Sequence, residues 1–331
     1  MHSFNKLKEW LNVTNDNIYM FEKGSRGLYS KKDIKENDII MRIPSKYIIH
    51  YSKVKNKYIS DKIYNINSLM ASYLYVKSLK NESFWTPYLK SMPQHLDEYI
   101  YYYDKKKLSL LNNTSIMCKD TYNFKIHMKN IVNDCKIIYK WLLEKDLLHK
   151  DHKKYSDFYP IFLKYRILVC SRIFGYDKNG EKESGLVPYA DLLNHSEEPN
   201  TYWYFNDKNN CFEVMATKNI DAGCEIYDSY GSKNNIDLIM YYGFSIKNNK
   251  FSKLNFIYDG NLFVADYEST IDTLMNQNTL KKNKKKDLII KLKSILMNHQ
   301  SKIKSINDQN IVNIYNDDIS IIQNILKEIK L

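Results

Sequence analysis

Cysteine is scarce in this chain, and what there is forms no pattern. Cys118, Cys135, Cys170, Cys211 and Cys224 are an odd number, with no C-x-x-C or C-x-C spacing. That argues against a disulfide framework and against a structural zinc. A start of positive charge followed by an apolar run is also missing, and no uninterrupted apolar segment approaches the ~20 residues that a membrane span needs. The expectation is a soluble protein of a reducing compartment, cytoplasm or nucleus, with no membrane partner and no metal. Internal repeats and heptads are absent. Acidic residues are outnumbered, 38 against 50 Lys and Arg, for a formal charge of +12. Such a field favours acidic partners, anionic cofactors or nucleic acid, but it bears on association rather than fold. No motif supports nucleic acid as a partner.

What is present is globular. The 331 residues are 44% hydrophobic, enough for a substantial core. Tyrosine dominates the aromatics, 29 against 13 Phe and 4 Trp. With abundant Lys, Asn and Ile, that bias is what an AT-rich coding sequence produces, and it carries no functional weight.

Residues 17–50 read as a small antiparallel meander: Ile18 to Phe21, Leu28 to Ser30 and Ile39 to Ile43, with turns at Gly24-Ser25-Arg26-Gly27 and Ile34 to Asp38. A two-glycine turn can be a plain hairpin connection, or a loop whose backbone approaches a ligand. From about 62 to 175 the period becomes helical, with Leu69, Met70, Tyr73, Leu74 on one face and Met128, Ile131, Val132, Cys135, Ile138 on another. A second helical run, Phe158 to Ile173, ends beside Arg172, which alone reads as a C-terminal cap. Strand character returns after Gly185. Thr201 to Phe205 and Cys211 to Thr217 flank a polar turn as a hairpin, and Asp221-Ala-Gly223 leads into Glu225-Ile-Tyr-Asp-Ser-Tyr230-Gly231. A short helix follows to Tyr242, Gly243 and Phe244. Beyond 250 come a strand pair and helices near 284–297 and 314–330. The Lys281 to Lys286 run reads as a solvated face.

The stretch Pro188-Tyr-Ala-Asp-Leu-Leu-Asn-His-Ser-Glu-Glu-Pro-Asn200 interests us most. An apolar run stops at Asn194-His195-Ser196, side chains that hydrogen-bond well and sit poorly inside a helix or strand. Alone, it is a helix ending in a turn, with His195 a structural histidine.

Together these segments resemble the SET-domain protein methyltransferases, in particular the non-histone branch that includes the Rubisco large-subunit lysine methyltransferase and the actin-histidine methyltransferase. The carriers, in order, are Gly-Ser-Arg-Gly-Leu28 with Asp33-Ile34 and Ile43-Pro44; Phe84-Trp85-x-Pro87-Tyr88 with Met92-Pro93; Ser171-Arg172; Asp191-Leu-Leu-Asn194-His195; Asp221-Ala-Gly223-x-Glu225-Ile; and Tyr230-Gly231 with Asn234 and Tyr242-Gly243-Phe244. The resemblance implies an α+β fold of small antiparallel sheets, in which the Tyr230 segment is threaded beneath Asn194-His195, an exception to unknotted topology. It implies a SET domain over 17–246 with a helical insert at about 62–175, and a mainly helical, shortened substrate-binding-like tail over 250–331.

The implied chemistry is methyl transfer from S-adenosylmethionine to a lysine of a non-histone protein. Tyr230 takes the catalytic place. Gly24, Ser25, Arg26, Arg172, Asp191, Asn194, His195, Tyr242 and Phe244 take the cofactor's, and Phe174 and Ala190 line the acceptor channel. Lysine is expected over histidine because the histidine-modifying member carries a polar amide where this chain has Phe174 and a tryptophan where it has Ala190. A buried imidazole needs a partner for its second nitrogen, and Phe174 offers none. No cysteine follows Cys224, so the zinc segment of the histone-type branch is absent. Two other readings are a histone-lysine methyltransferase and a catalytically weak SET scaffold that binds protein or nucleic acid.

Overall fold

The β-branched and aromatic runs become short strands, and several of them pair out of chain order. The computed structural model describes residues 2–13, 17–21, 26–57, 65–80, 82–112, 114–118 and 124–327. It divides into two compact units, residues 1–94 with 131–231, and residues 95–130 with 232–331.

In the first unit the strands are β1 (Ile18–Phe21), β2 (Gly27–Ser30), β3 (Ile39–Pro44), β4 (Ile49–His50), β5 (Ile173–Lys178), β6 (Glu181–Leu186), β7 (Asn194–His195), β8 (Thr201–Asn206), β9 (Cys211–Ala216) and β10 (Tyr227–Asp228). β1 and β2 pair antiparallel, Ile18 opposite Ser30 and Phe21 opposite Gly27. The expected meander stops there. β3 leaves β2 and joins β9, with Ile43 opposite Phe212, in a three-stranded sheet ordered β3-β9-β8. Hydrophobicity explains the choice. Phe212, Val214 and Ala216 are buried on one face of β9 and Cys211 and Glu213 on the other, and a strand covered on both faces belongs in the middle of a sheet.

A second sheet is ordered β4-β6-β5. Its β5–β6 hairpin precedes the strand character expected only after Gly185. The connection is Asn179-Gly180, both with positive φ (51° and 77°), as a primed two-residue turn requires. Glu181 to Ser184 are too polar to show as a strand by apolar alternation, so the turn is the signal that matters there.

Helices Ile66–Ser78 and Tyr155–Cys170 pack together in this unit. Asn65 caps the first, accepting from the backbone N–H groups of Asn67 and Ser68. Buried Arg166 reaches back from the second, donating to Ser68 Oγ (3.0 Å) and Asn65 Oδ1 (3.2 Å). The helix ends at Cys170 and Ile173 already begins β5, three residues short of the expected helical end.

Residues 95–130 lie within the helical insert by chain order, yet they belong to the second unit. Periodicity shows that a helix has an apolar face, not what that face will meet. In this unit β11 (Leu254–Tyr258) and β12 (Asn261–Ala265) form a hairpin, and helices Ile271–Gln277, Lys285–Lys302 and Gln309–Lys327 share a core with it. Ile239 and Met240 of helix Asn235–Tyr242 pack with Ile100, Ile116 and Tyr315 in a second cluster. Among the described residues, no helix is long and apolar enough to cross a membrane, and no group of three or more His, Cys, Asp and Glu is placed to hold a metal ion.

Candidate active site

Two chain segments distant in sequence run side by side in the first unit. β7 and β10 are parallel, Tyr227 opposite Asn194 and Asp228 opposite His195. Ser196 N donates to Asp228 O at 2.9 Å. So short a ladder needs help, and side chains give it. Buried Asn200 donates to Glu225 O (2.9 Å) and accepts from Tyr227 N (2.7 Å), while Thr201 Oγ1 donates to Tyr227 O (2.7 Å). This is the crossing of the Tyr230 segment with Asn194-His195 that the resemblance implies.

Asn194 ties three segments together. Its Nδ2 donates to Arg26 O (2.8 Å) and to Glu225 Oε1 (2.7 Å). Rotating the amide would set oxygen against two oxygens, so its orientation is determined by these bonds. The carbonyl Oδ1 accepts from no described residue, and the side chain is only half-buried. His195 is fixed in the same way. Its Nδ1 accepts from Tyr230 N (3.0 Å), which puts the proton of the neutral ring on Nε2. Burial lowers the pKa of the ring, against an opposing hydrogen bond with the Asp228 backbone. The ring stacks on Tyr230 at 5.1 Å. The Tyr230 hydroxyl donates to Leu193 O at 2.8 Å, so its oxygen lies beside the chain just before the crossing.

Glu225 organises this region, although its side chain was not among the expected site residues. Its Oε2 accepts from Tyr29 (2.8 Å) and Tyr227 (2.7 Å), in addition to Asn194 on Oε1. Those bonds raise both phenol pKa values, Tyr227 to about 12. They also explain Gly27, where a Cβ would stand 2.2 Å from Glu225 Oε1.

A second cluster surrounds Asp191. Tyr189, buried and at φ 77°, turns the chain sharply into the Ala190–Leu192 turn. A tyrosine there costs on the order of 1–3 kcal/mol of backbone strain. The result is an inward-facing carboxylate. Tyr88 OH donates to Asp191 Oδ2 at 2.7 Å. Arg172 Nη1 donates to Asp191 O at 2.7 Å and lies 3.4 Å from Oδ2. Arg172 therefore braces the Asp191 turn. Burial raises the Asp191 pKa, opposed by Arg172, Tyr88 and Arg26, and it raises that of Tyr88 well above the usual phenol value. Asp191 Oδ1 is buried without a partner among the described residues. Arg26 Nη2 donates to Ser91 O at 2.6 Å.

Of the expected site residues, Arg26, Arg172, Asp191, Asn194, His195 and Tyr230 belong to these linked clusters. Ala190 is buried in the turn before Asp191. Phe174 lies on β5 with its ring edge-on to Trp203 and Phe212, each at 5.2 Å. Tyr242 and Phe244 belong to the second unit and flank Gly243, the left-handed cap (φ 80°) whose open face lies against Tyr99. Gly24 and Ser25 lie outside the described residues. Besides Glu225, the sequence reading left Tyr88 and Asp228 without site roles. Asp228 Oδ1 accepts from Trp203 Nε1 (3.0 Å) and Ser229 N (2.6 Å), and burial pushes its pKa up to about 6.

The comparisons with known proteins agree with this geometry. A family model described as SET domain matches residues 25–231. Among curated proteins, SET domain-containing protein 4 of Artemia parthenogenetica is 23% identical over 250 residues, covering 74% of this chain and 61% of its own length. The actin-histidine N-methyltransferase of Rattus norvegicus is 24% identical over 268 residues, covering 76% of this chain and 44% of its own. The chain thus spans less than two thirds of the length of these relatives. Two solved structures share the fold: the SET domain of LSMT bound to lysine and AdoHcy (TM-score 0.69, 15% identity, 99% of this chain and 91% of that one) and Rubisco LSMT bound to AdoMet (TM-score 0.71, 18% identity, with the same coverage). With the family model matching well over half of its length, and with the crossing that ties Asn194 and His195 to Tyr230, the chain belongs to the SET-domain family.

Proposed function

We propose that this protein is an S-adenosylmethionine-dependent protein-lysine N-methyltransferase acting on a non-histone protein. The observation that carries the reading is the fixed Tyr230 hydroxyl, held on Leu193 O, the carbonyl just before Asn194, with its ring against His195. A scaffold has no physical need to orient all three.

The residues present fit the cofactor. Asn194 Oδ1 is an oriented, accessible acceptor, which suits the ammonium group of an amino-acid moiety. Arg26, Arg172 and Asp191 shape the adjoining turn, and the resemblance gives Gly24 and Ser25 a part in holding the cofactor. When bound, S-adenosylmethionine supplies an electrophilic methyl group. The protein's part is alignment, worth roughly 7–11 kcal/mol when reacting groups are held in line. Tyr230 orients the acceptor nitrogen through its oxygen, and an aromatic, apolar channel favours the neutral amine of a lysine whose ordinary pKa is about 10.4. Phe174, packed on Trp203 and Phe212, supplies an apolar wall for the lysine stem, at about 0.8 kcal/mol per buried CH₂.

One observation favours a second reading, a histidine acceptor: several relatives of similar identity are actin-histidine N-methyltransferases. The lysine reading is supported instead by Phe174, which cannot hydrogen-bond a second ring nitrogen. Calorimetry with S-adenosylmethionine, followed by methyl-label transfer to proteins of a lysate, tests the function. Micromolar binding, with label transfer that is lost in Tyr230→Phe, is expected. Absence of binding by the folded wild-type protein would overturn the reading.

A further inference from the structure

Beyond the crossing, the first unit holds a cavity of about 470 Å³ between the edge strands β5 and β8, reaching inward to Asp228 and Ser229. Its wall is aromatic, with Tyr202, Trp203 and Tyr204 in succession along β8. Tyr202 is 57% exposed, unusual for a large ring in a strand, and Tyr202 and Tyr204 stack on one another at 6.1 Å. The cavity also carries negative charge. At the rim, Asp177 is engaged by Lys182 at 2.8 Å. Asp228, at the inner end, is only 4% exposed and forms no ion pair among the described residues. Both of its side-chain bonds fall on Oδ1, and Oδ2 accepts none from the described residues. A carboxylate oxygen open to a cavity walled by ring faces, and accepting from no described residue, is an acceptor that an entering cation would match. Carboxylate and π-faces both attract a guanidinium or ammonium group, and the alkyl stem of such a side chain packs on the rings.

We propose that this cavity is a subsite for a second basic side chain, an arginine or lysine of the substrate protein close to the residue that receives the methyl group. Ser229, which lines the cavity, is the residue immediately before Tyr230, so the subsite and the site of transfer are adjacent along the chain. The preferred substrate is therefore a basic segment. The inference rests on the methyl-transfer reading for the identity of its ligand, and the test separates the two.

The probe is a set of synthetic peptide pools with one central lysine. Each neighbouring position is fixed in turn as arginine, alanine or glutamate and the rest are randomised. Binding to the full chain is read at pH 8 by fluorescence anisotropy, and turnover by methyl label from S-adenosylmethionine. At one position near the lysine, the arginine pool is expected to bind roughly ten-fold tighter than the alanine pool, with glutamate weaker still. Turnover should follow that ranking through KM more than kcat. Asp228→Asn and Tyr202→Leu should each shrink the preference to about two-fold or less. Tyr202 is exposed, so its variant keeps the test valid where Asp228→Asn folds poorly. Equal binding of all three pools at every position overturns the subsite, even if methyl transfer is observed. A preserved binding preference without methyl transfer supports the subsite and sinks the methyltransferase reading instead.

Discussion

Asp228→Asn should make the first unit more stable at neutral pH and leave it nearly unchanged at pH 4. In the wild type, burial raises the Asp228 pKa from the ordinary 3.8 to about 6. A folded-state value above the unfolded one means that the folded protein holds its proton more tightly. The resulting stability is fully present below about pH 3.8, falls as the pH rises toward 6, and is gone above it. At about 1.4 kcal/mol per pH unit, the swing is on the order of 3 kcal/mol. Asparagine keeps an acceptor for Trp203 Nε1 and Ser229 N and cannot ionise, so the variant escapes the loss. Urea denaturation followed by tryptophan fluorescence is the assay. Trp10, Trp85, Trp141 and Trp203 all lie in the first unit, so the signal reports on that unit alone. Asp317 in the second unit, which burial also raises to about 6, does not enter the comparison. The variant should gain on the wild type steadily from pH 4 to 7. A difference between the two that stays constant across that range would refute the reasoning.

Three further substitutions test the arrangement. Tyr230→Phe removes only the hydroxyl on Leu193 O and should lower kcat by roughly 10²-fold with little change in KM, as steady-state kinetics would show; wild-type kcat moves the role elsewhere. Gly27→Ala drives a Cβ into Glu225 Oε1 and should cost about 1–3 kcal/mol in a urea denaturation curve, with a neutral result denying the close approach. Asn194→Ala strands Glu225 Oε1 and Arg26 O, and about 1–3 kcal/mol should be lost from stability together with a weakened S-adenosylmethionine affinity by calorimetry; unchanged affinity in folded protein would remove Asn194 from the cofactor site.

Much of the fold was legible because local chemistry decides it. The β8–β9 and β11–β12 hairpins, and the last two helices, follow from turn residues and apolar period. What was not legible is pairing at a distance. Nothing local to Ile39–Pro44 reveals that it will meet β9 instead of β2, and the helical period of residues 95–130 is silent on which core they join. Polar β6 was hidden because a strand of Glu, Lys and Ser lacks alternation, although Asn179-Gly180 marked its turn. At the site, Asn194, His195 and Tyr230 stood out by motif order. Their side-chain roles did not, since Asn194 and His195 are engaged in holding the crossing, through partners distant in sequence. Glu225, Tyr88 and Asp228 were missed as site residues for the same reason. A carboxylate that accepts from Tyr29, Tyr227 and Asn194, or from Tyr88 and Arg172, is defined by partners far away in sequence.

The identity of the acceptor residue tests the lysine-methyltransferase function most directly. Protein labelled by the wild-type chain with methyl-labelled S-adenosylmethionine should be hydrolysed in acid and its amino acids separated. Label is expected in methyllysine, and none when Tyr230→Phe replaces the wild type; label in methylhistidine would contradict the part assigned to Phe174.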